Sequence, residues 1–276
     1  MKVLITGANG QLGREMTKVC SNLSYDMLLT GSKDLDIRDI DATYKIVKDF
    51  RPELVINCAA HTAVDKCEED VDNAYRINAI GAKNLSQASY AVGAELVHLS
   101  TDYVFDGEKD RPLTEFDDTN PQTVYGKSKL AGEKMAAEFN PKHYILRTAW
   151  LYGDGKNFVK TMLNLAAGDN EIKVVTDQFG CPTSTASVAK LIIKLINEKN
   201  YGLFHAASKG KCSWNDFAKE IFRLKEINKT VNPCTSEEFV RPAKRPQYSV
   251  LRNYMLELTT GDIMPTWQRD IYEYLK

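Results

Sequence analysis

The 276-residue sequence carries no surplus of either charge: 36 Lys and Arg stand against 37 Asp and Glu, a formal net charge of −1. Nucleic-acid-binding proteins usually show a basic excess or stripe, so no nucleic-acid partner is expected. Glycine and proline are few, at 16 and 9 residues, which excludes collagen-like and low-complexity chains. A 43% hydrophobic content excludes general disorder. No stretch approaches the roughly 18–20 consecutive apolar residues of a membrane span, so no membrane partner is expected either. The apolar lead-in before Gly7 is too short for a secretory signal. The six cysteines (Cys20, Cys58, Cys67, Cys181, Cys212 and Cys234) are scattered, and read as reduced thiols of a cytoplasmic protein. Cys58, His61 and Cys67 lie close in sequence, but no fourth ligand stands at a recognisable spacing and no metal site is expected.

What is present is an alternation of short apolar runs and amphipathic stretches. Lys2–Thr6, Asp26–Thr30, Glu53–Asn57, Ala94–Ser100 and His143–Thr148 read as strands. Between them, Gln11–Leu23, a segment with Tyr44, Ile46, Val47 and Phe50, Val71–Val92 and Thr123–Phe139 read as helices. Strands separated by helices imply right-handed crossovers and one mainly parallel sheet. The expected fold is therefore α/β, a Rossmann-type doubly wound parallel sheet over residues 1–150. After Trp150 the pattern loosens into a smaller α+β lobe over 151–276. There Lys173–Thr176 and Leu203–Ala206 are strand-like, and Thr185–Ile196, Trp214–Leu224 and Thr266–Tyr274 are helical. A segment near 185–200 is free to return to the first unit.

Gly7, Gly10, Gln11, Leu12 and Gly13 belong to the run GANGQLG, set between a strand and a helix. Gly7 permits the turn out of the strand, Gly10 the approach of a pyrophosphate, and Gly13 close packing of helix on strand. The free N–H groups and the helix dipole favour the phosphates. The end of the second strand reads Thr30-Gly31-Ser32-Lys33, without the carboxylate that would read a ribose. Ser32 and Lys33 could instead bind a 2′-phosphate, so NADPH is the expected cofactor, with NADH tolerated. Tyr125 and Lys129 stand four residues apart near a helix start, hence on one face. An unperturbed tyrosine titrates near pH 10, and a neighbouring ammonium favours its phenolate.

The G-x-x-G-x-x-G spacing and the Y-x-x-x-K pair resemble the short-chain dehydrogenase/reductase superfamily, particularly its extended members. In that pattern Asp36-Ile37 matches an adenine-contacting pair, and Asn57-Cys58-Ala59-Ala60 matches N-x-A-A, placing Cys58, Ala59 and Ala60 beside the cofactor. The resemblance also assigns Thr101 to the substrate carbonyl. It narrows further on the segments NCAAHTAVDKCE, STDYVFDG, YGKSKLAGE, RTAWLYG, DQFGCPTS and RPAKRPQYSVL. These span nearly the whole chain and resemble the dTDP-4-dehydrorhamnose reductase family.

That resemblance implies reduction of the C4 ketone of dTDP-6-deoxy-L-lyxo-4-hexulose to dTDP-L-rhamnose, the last step of dTDP-rhamnose biosynthesis. Tyr125 would donate the proton, Lys129 would lower the phenol's pKa and position the ribose, and Thr101 would hold the oxygen. Thr62, Val64, Thr101, Asp102, Tyr103 and Trp150 would lie near the sugar or nucleotide, Thr62 also near the cofactor. Arg241, Lys244 and Arg245, in a proline-stiffened segment, would meet the diphosphate. A homodimer and, through the family-like Glu15, a Mg²⁺ ion at its contact rest on the resemblance alone. Two alternatives stay open: another nucleotide-sugar reductase or epimerase, and a non-catalytic regulatory subunit of the methionine adenosyltransferase type.

Overall fold

Branched apolar side chains in runs of four or five make strands that can be buried on both faces, and this chain uses them so. In the computed structural model, which describes residues 1–276, Lys2–Thr6 forms β1, Gln11–Asn22 α1, Asp26–Thr30 β2, Ile40–Phe50 α2 and Leu54–Asn57 β3. The Asp39 carboxylate caps α2, accepting from the N–H groups of Asp41 and Ala42 at 2.9 and 3.0 Å. Val64–Glu69 (α3) and Val71–Tyr75 (α4) lead through a π-helical turn at Arg76–Ile80 into Gly81–Ala91 (α5). The single helix expected over Val71–Val92 is thus interrupted. The wide turn aims the Asn78 amide inward, where it accepts from His61 N at 2.8 Å and donates to His61 O at 3.2 Å and Ser128 Oγ at 3.0 Å. Such turns recur at functional sites.

Glu95–Thr101 forms β4 and runs one residue further than expected, so Thr101 is its last residue. A 3₁₀ turn at Asp102–Val104 follows, then Val124–Phe139 (α6) and His143–Thr148 (β5). The second half contains Leu151–Tyr152 (β6), Phe158–Ala166 (α7), Ile172–Val175 (β7), Phe179–Gly180 (β8), Thr183–Ser184 (β9) and Thr185–Glu198 (α8). Gly202–His205 (β10), Cys212–Ser213 (β11), Trp214–Leu224 (α9), Val231–Cys234 (β12), Tyr254–Leu258 (α10) and Trp267–Leu275 (α11) complete it.

The main sheet has the order β10-β5-β4-β3-β1-β2, with every neighbouring pair parallel. From β1 the chain moves first to β2 on one side and then to β3 on the other. That reversal opens a crevice at the carboxyl ends of β1 and β3, where open α/β sheets bind ligands. Side chains alternate between the two covered faces. Val3 and Ile5 join Leu12, Met16, Leu191 and Leu195 under α1 and α8, while Leu4 joins Val47, Val55 and Leu85 under α2 and α5. Helix α8 and strand β10 therefore return to the first unit. A separate core around Tyr152, Val159, Phe217, Ile221 and Trp267 holds the other lobe together.

Asp270 of α11 ties these parts to each other. Its buried carboxylate accepts from Ser184 N and Oγ, Ser187 Oγ and Ser208 Oγ at 2.6–2.7 Å, gathering the starts of α8 and α11 and the chain beyond β10. Replacing it leaves several buried donors unpaired. Asp270→Ala is expected to lower stability by about 3 kcal/mol in equilibrium urea unfolding. A loss below about 1 kcal/mol would show that these bonds do not join the lobes.

Candidate active site and dinucleotide crevice

The turn after β1 lies against the exit of β3 with no room to spare. Gly7 has φ +64°, and a Cβ placed on it would lie 2.6 Å from Ala59 N. A Cβ on Gly13 would lie 2.3 Å from Gly7 O, so α1 can start there only on a glycine. Helix α1 has no side-chain cap at Gly10, which leaves its first N–H groups for a ligand. A cavity of about 520 Å³ runs from Gly7 and Gly10 past Gly31, Ser32, Asp36 and Ile37, with Cys58, Ala59 and Ala60 as its other wall. A second cavity, of about 600 Å³, shares Gly10, Cys58 and Ala60 with the first and continues along Gln11, Leu12 and Gly13. The two form one groove whose glycine floor and uncapped helix suit a dinucleotide.

Most of the residues expected at the cofactor line this groove; Lys33 does not and is exposed. The cation beside Ser32 and Asp36 is Arg38, which the sequence reading missed. Its guanidinium grips the Asp36 carboxylate at 2.7–3.0 Å and Asn73 Oδ1 at 2.8 Å. Asp34 is engaged in the turn, accepting from Gly31 N at 2.8 Å.

The other end of the groove holds Thr62, Val64, Thr101, Asp102, Tyr103, Tyr125, Lys129 and Trp150 together. Tyr125 and Lys129 lie on the first turns of α6, whose entry is fixed by Thr123, accepting from Gly126 N at 3.0 Å, and by Glu68, accepting from Val124 N at 2.9 Å. Gly126 lets the helix press on the turn after β4, since a Cβ there would lie 2.2 Å from Tyr103 O. Thr101 Oγ1 accepts from Tyr103 N at 3.2 Å and donates to Asp102 Oδ1 at 2.9 Å. Asp102 is buried. Burial pushes this carboxyl up to about 6, with the Ser249 and Thr101 hydroxyls acting against the rise.

Burial also pulls the Lys129 amine down to about 8, against the opposing pull of Glu133, and the amine donates to Leu99 O. The phenol of Tyr125 is shifted upward. Burial raises it well above its ordinary value, and the Thr101 hydroxyl works to lower it. Lys129 makes its bond to the strand carbonyl. Tyr103 meets Tyr125 edge-on, with ring centroids 5.5 Å apart.

The three cations expected at a diphosphate are placed differently. Arg245 donates to Tyr103 Oη at 3.0 Å and pairs with Asp65 at 2.8 Å, and Arg241 stands 3.7 Å from the same carboxylate. Lys244 is exposed, and none of the three lines the groove. Asp65, at the start of α3, is the counter-charge that holds two of them. Lys156 does line the groove, beside Asn157, whose amide donates to Gln11 Oε1 at 3.2 Å.

Trp150 takes a left-handed backbone, φ +48°, rare for a bulky residue. Its indole stacks on Trp214, 3.5 Å between centroids and 6° between planes, while Gly180 leaves space beneath it. Both tryptophans line the groove, joining the second lobe's core to the site. Trp214 carried no signal beyond its place in an amphipathic helix. Cys67 Sγ lies 3.3 Å from His61 Nδ1, but no group of three metal-ligating side chains forms within the chain.

Comparison with known proteins agrees with this geometry. The family described as the RmlD substrate binding domain matches residues 1–276. Spore coat polysaccharide biosynthesis protein SpsK of Bacillus subtilis is 40% identical over 277 residues, covering 100% of this chain and 97% of the relative. A dTDP-4-dehydrorhamnose reductase of Clostridium acetobutylicum has a solved structure that superposes with a TM-score of 0.98 at 61% identity, covering 100% of this chain and 98% of that one. The Bacillus anthracis dTDP-4-dehydrorhamnose reductase, solved in complex with NADP, superposes with a TM-score of 0.97 at 44% identity, covering 99% of this chain and 98% of that one.

The close approach at α1 generates a test. Gly13→Ala should weaken NADPH binding at least ~10-fold in a fluorescence titration of the folded protein. Binding within about twofold of the wild type would mean that the helix start does not shape the cofactor site.

Proposed function

The chain belongs to the family of the RmlD substrate binding domain, and from that premise we propose that it reduces the C4 ketone of dTDP-4-dehydro-β-L-rhamnose to dTDP-L-rhamnose with NADPH. The observation that carries the reading is a single groove with a glycine-walled dinucleotide end and a second end where half-buried Tyr125 lies between buried Thr101 and Lys129. The names borne by the Clostridium and Bacillus anthracis structures support the substrate. The Thermus thermophilus UDP-glucose 4-epimerase structure, with a TM-score of 0.85 but 19% identity, speaks for the fold alone.

Bound NADPH supplies the hydride that the ketone carbon accepts. The chain's own task is to stabilise the oxygen as it gains charge and then to protonate it. Tyr125 is suited to donate, because a phenol held above its ordinary value stays protonated at neutral pH and so has the proton to give to the developing alkoxide. The proton leaves Tyr Oη for the substrate oxygen, and the phenolate so formed is favoured by the Lys129 ammonium on the same helical face. Thr101 can turn its hydroxyl proton from Asp102 to the substrate oxygen without moving its backbone, which Tyr103 N–H holds. Trp150 and Trp214 form a flat apolar wall against which a deoxysugar face can lie.

The cofactor end would use the glycine loop and the first N–H groups of α1 for the pyrophosphate, and Ser32 with Arg38 for the adenosine end. Residues 1–150 with α8 and β10 would hold the dinucleotide, and the remaining second-half elements the sugar nucleotide. Six free thiols support a cytoplasmic setting. A homodimer belongs to the same reading by family resemblance only.

Turnover is measured as loss of reduced-nicotinamide absorbance in the presence of dTDP-4-dehydro-β-L-rhamnose. Tyr125→Phe should lose about 10²–10⁴-fold in kcat while its NADPH affinity changes little. Equal turnover by the two proteins would remove Tyr125 from proton transfer.

A further inference from the structure

Helix α6 carries a third polar residue on the face that bears Tyr125 and Lys129. Glu133 lies one turn beyond Lys129, 5% exposed, in a position where a carboxylate is rarely found unless partnered. Its partner is Arg147 of β5, equally buried, whose Nε and Nη2 fork onto the two carboxylate oxygens at 2.9 and 2.7 Å. Ser100, opposite Arg147 in the β4–β5 register, donates to the same carboxylate. The Arg147 guanidinium lies 5.2 Å from the centre of the Phe105 ring, and its Nη1 has no partner. A buried ion pair contributes little to stability against an apolar pair of the same size, so its presence beside the reacting groups calls for another account.

We propose that Glu133 is a positioning residue of the reaction: its carboxylate, fixed by Arg147 and Ser100, keeps the buried Lys129 side chain charged and so available to Tyr125. The Lys129 amine needs such help because burial disfavours its charged form. The other titratable groups around it do not supply it. Cys58, after β3, acts in the same direction as Glu133 but ranks behind it, and burial pushes the thiol up to about 12, so near neutral pH it carries no charge to offer. His98 of β4 is held well below its ordinary value and stays neutral. Tyr125, on the same helix, stays a phenol, and Asp102 acts on Tyr125 rather than on the amine. Arg147 stands behind the carboxylate as its counter-ion. Glu133 is the anion set against Lys129.

The proposal rests on the reductase reading, and its test separates the two. In the pH profile of kcat/KM, wild-type activity should fall as pH rises through about 8, where Lys129 loses its proton. In Glu133→Gln that alkaline limb should move about one pH unit lower, with much of the activity near pH 6 retained. A uniform loss with the limb unmoved would assign Glu133 to structure only and overturn the proposal. Should Glu133→Gln not fold, Glu133→Asp carries the test: with the charge kept, the limb must stay with the wild type, and a limb that moves contradicts the proposal. The same titration is followed without turnover by NMR of ¹³Cε-labelled lysines. Absent wild-type turnover counts against the reductase reading, and a Lys129 resonance that titrates alike in wild type and Glu133→Gln counts against the role of Glu133.

Discussion

An ammonium buried between a helix and a sheet is the constraint around which the site is arranged. Lys129 is 3% exposed, and its amine meets the carbonyl of Leu99 at the seam of α6 and β4. Such a charge is tolerated only where partners compensate for lost water. The strand carbonyl and the Glu133 carboxylate, itself fixed by Arg147, do so, which requires α6 to lie close on β4 and β5. Gly126 against Tyr103 O and Gly132 against Asn78 O permit that approach, since a Cβ on either would lie 2.2 Å from the facing oxygen. The reacting phenol is then carried to the end of β4 beside Thr101. Packing and chemistry share the same residues here.

The second lobe enters through aromatic stacking and a few polar ties. Trp150 leaves β5 in a strained conformation that places its indole between Trp214 and Gly180. Such strain persists where surrounding structure over-determines it, and it concentrates at functional sites. Asn157 reaches the glycine loop through Gln11, and Arg14 pairs with Asp154 at 3.3 Å. The lobe that lies over the sugar end is therefore also fastened to the cofactor end.

Legibility in the sequence followed the range of the interaction concerned. Strands β1, β2 and β5 and helix α9 have the bounds that local patterning predicts, because burial on two faces or one imposes a period on neighbouring residues. Tyr125 and Lys129 were readable for the same reason, being one helical turn apart. Strands β6, β8, β9 and β11 have two residues each, too short for any period to register. The π turn at Arg76–Ile80 depends on what Asn78 finds at His61 and Ser128, not on its own helix. Arg241 and Arg245 looked free because Asp65, which pairs with both, precedes Arg245 by 180 residues. The burial that raises the Tyr125 phenol was not legible either, since burial is a property of the folded surroundings and spacing alone does not show it.

The central claim is that this groove brings a nicotinamide to the C4 ketone of a dTDP-linked deoxysugar and moves a hydride between them. Isotope transfer tests it most directly. With NADPH deuterated at the transferring position of nicotinamide C4, the dTDP-L-rhamnose formed should carry deuterium at sugar C4, read by NMR and mass spectrometry. A product labelled at another carbon, or a cofactor that keeps its label in the presence of the ketone, would contradict the account.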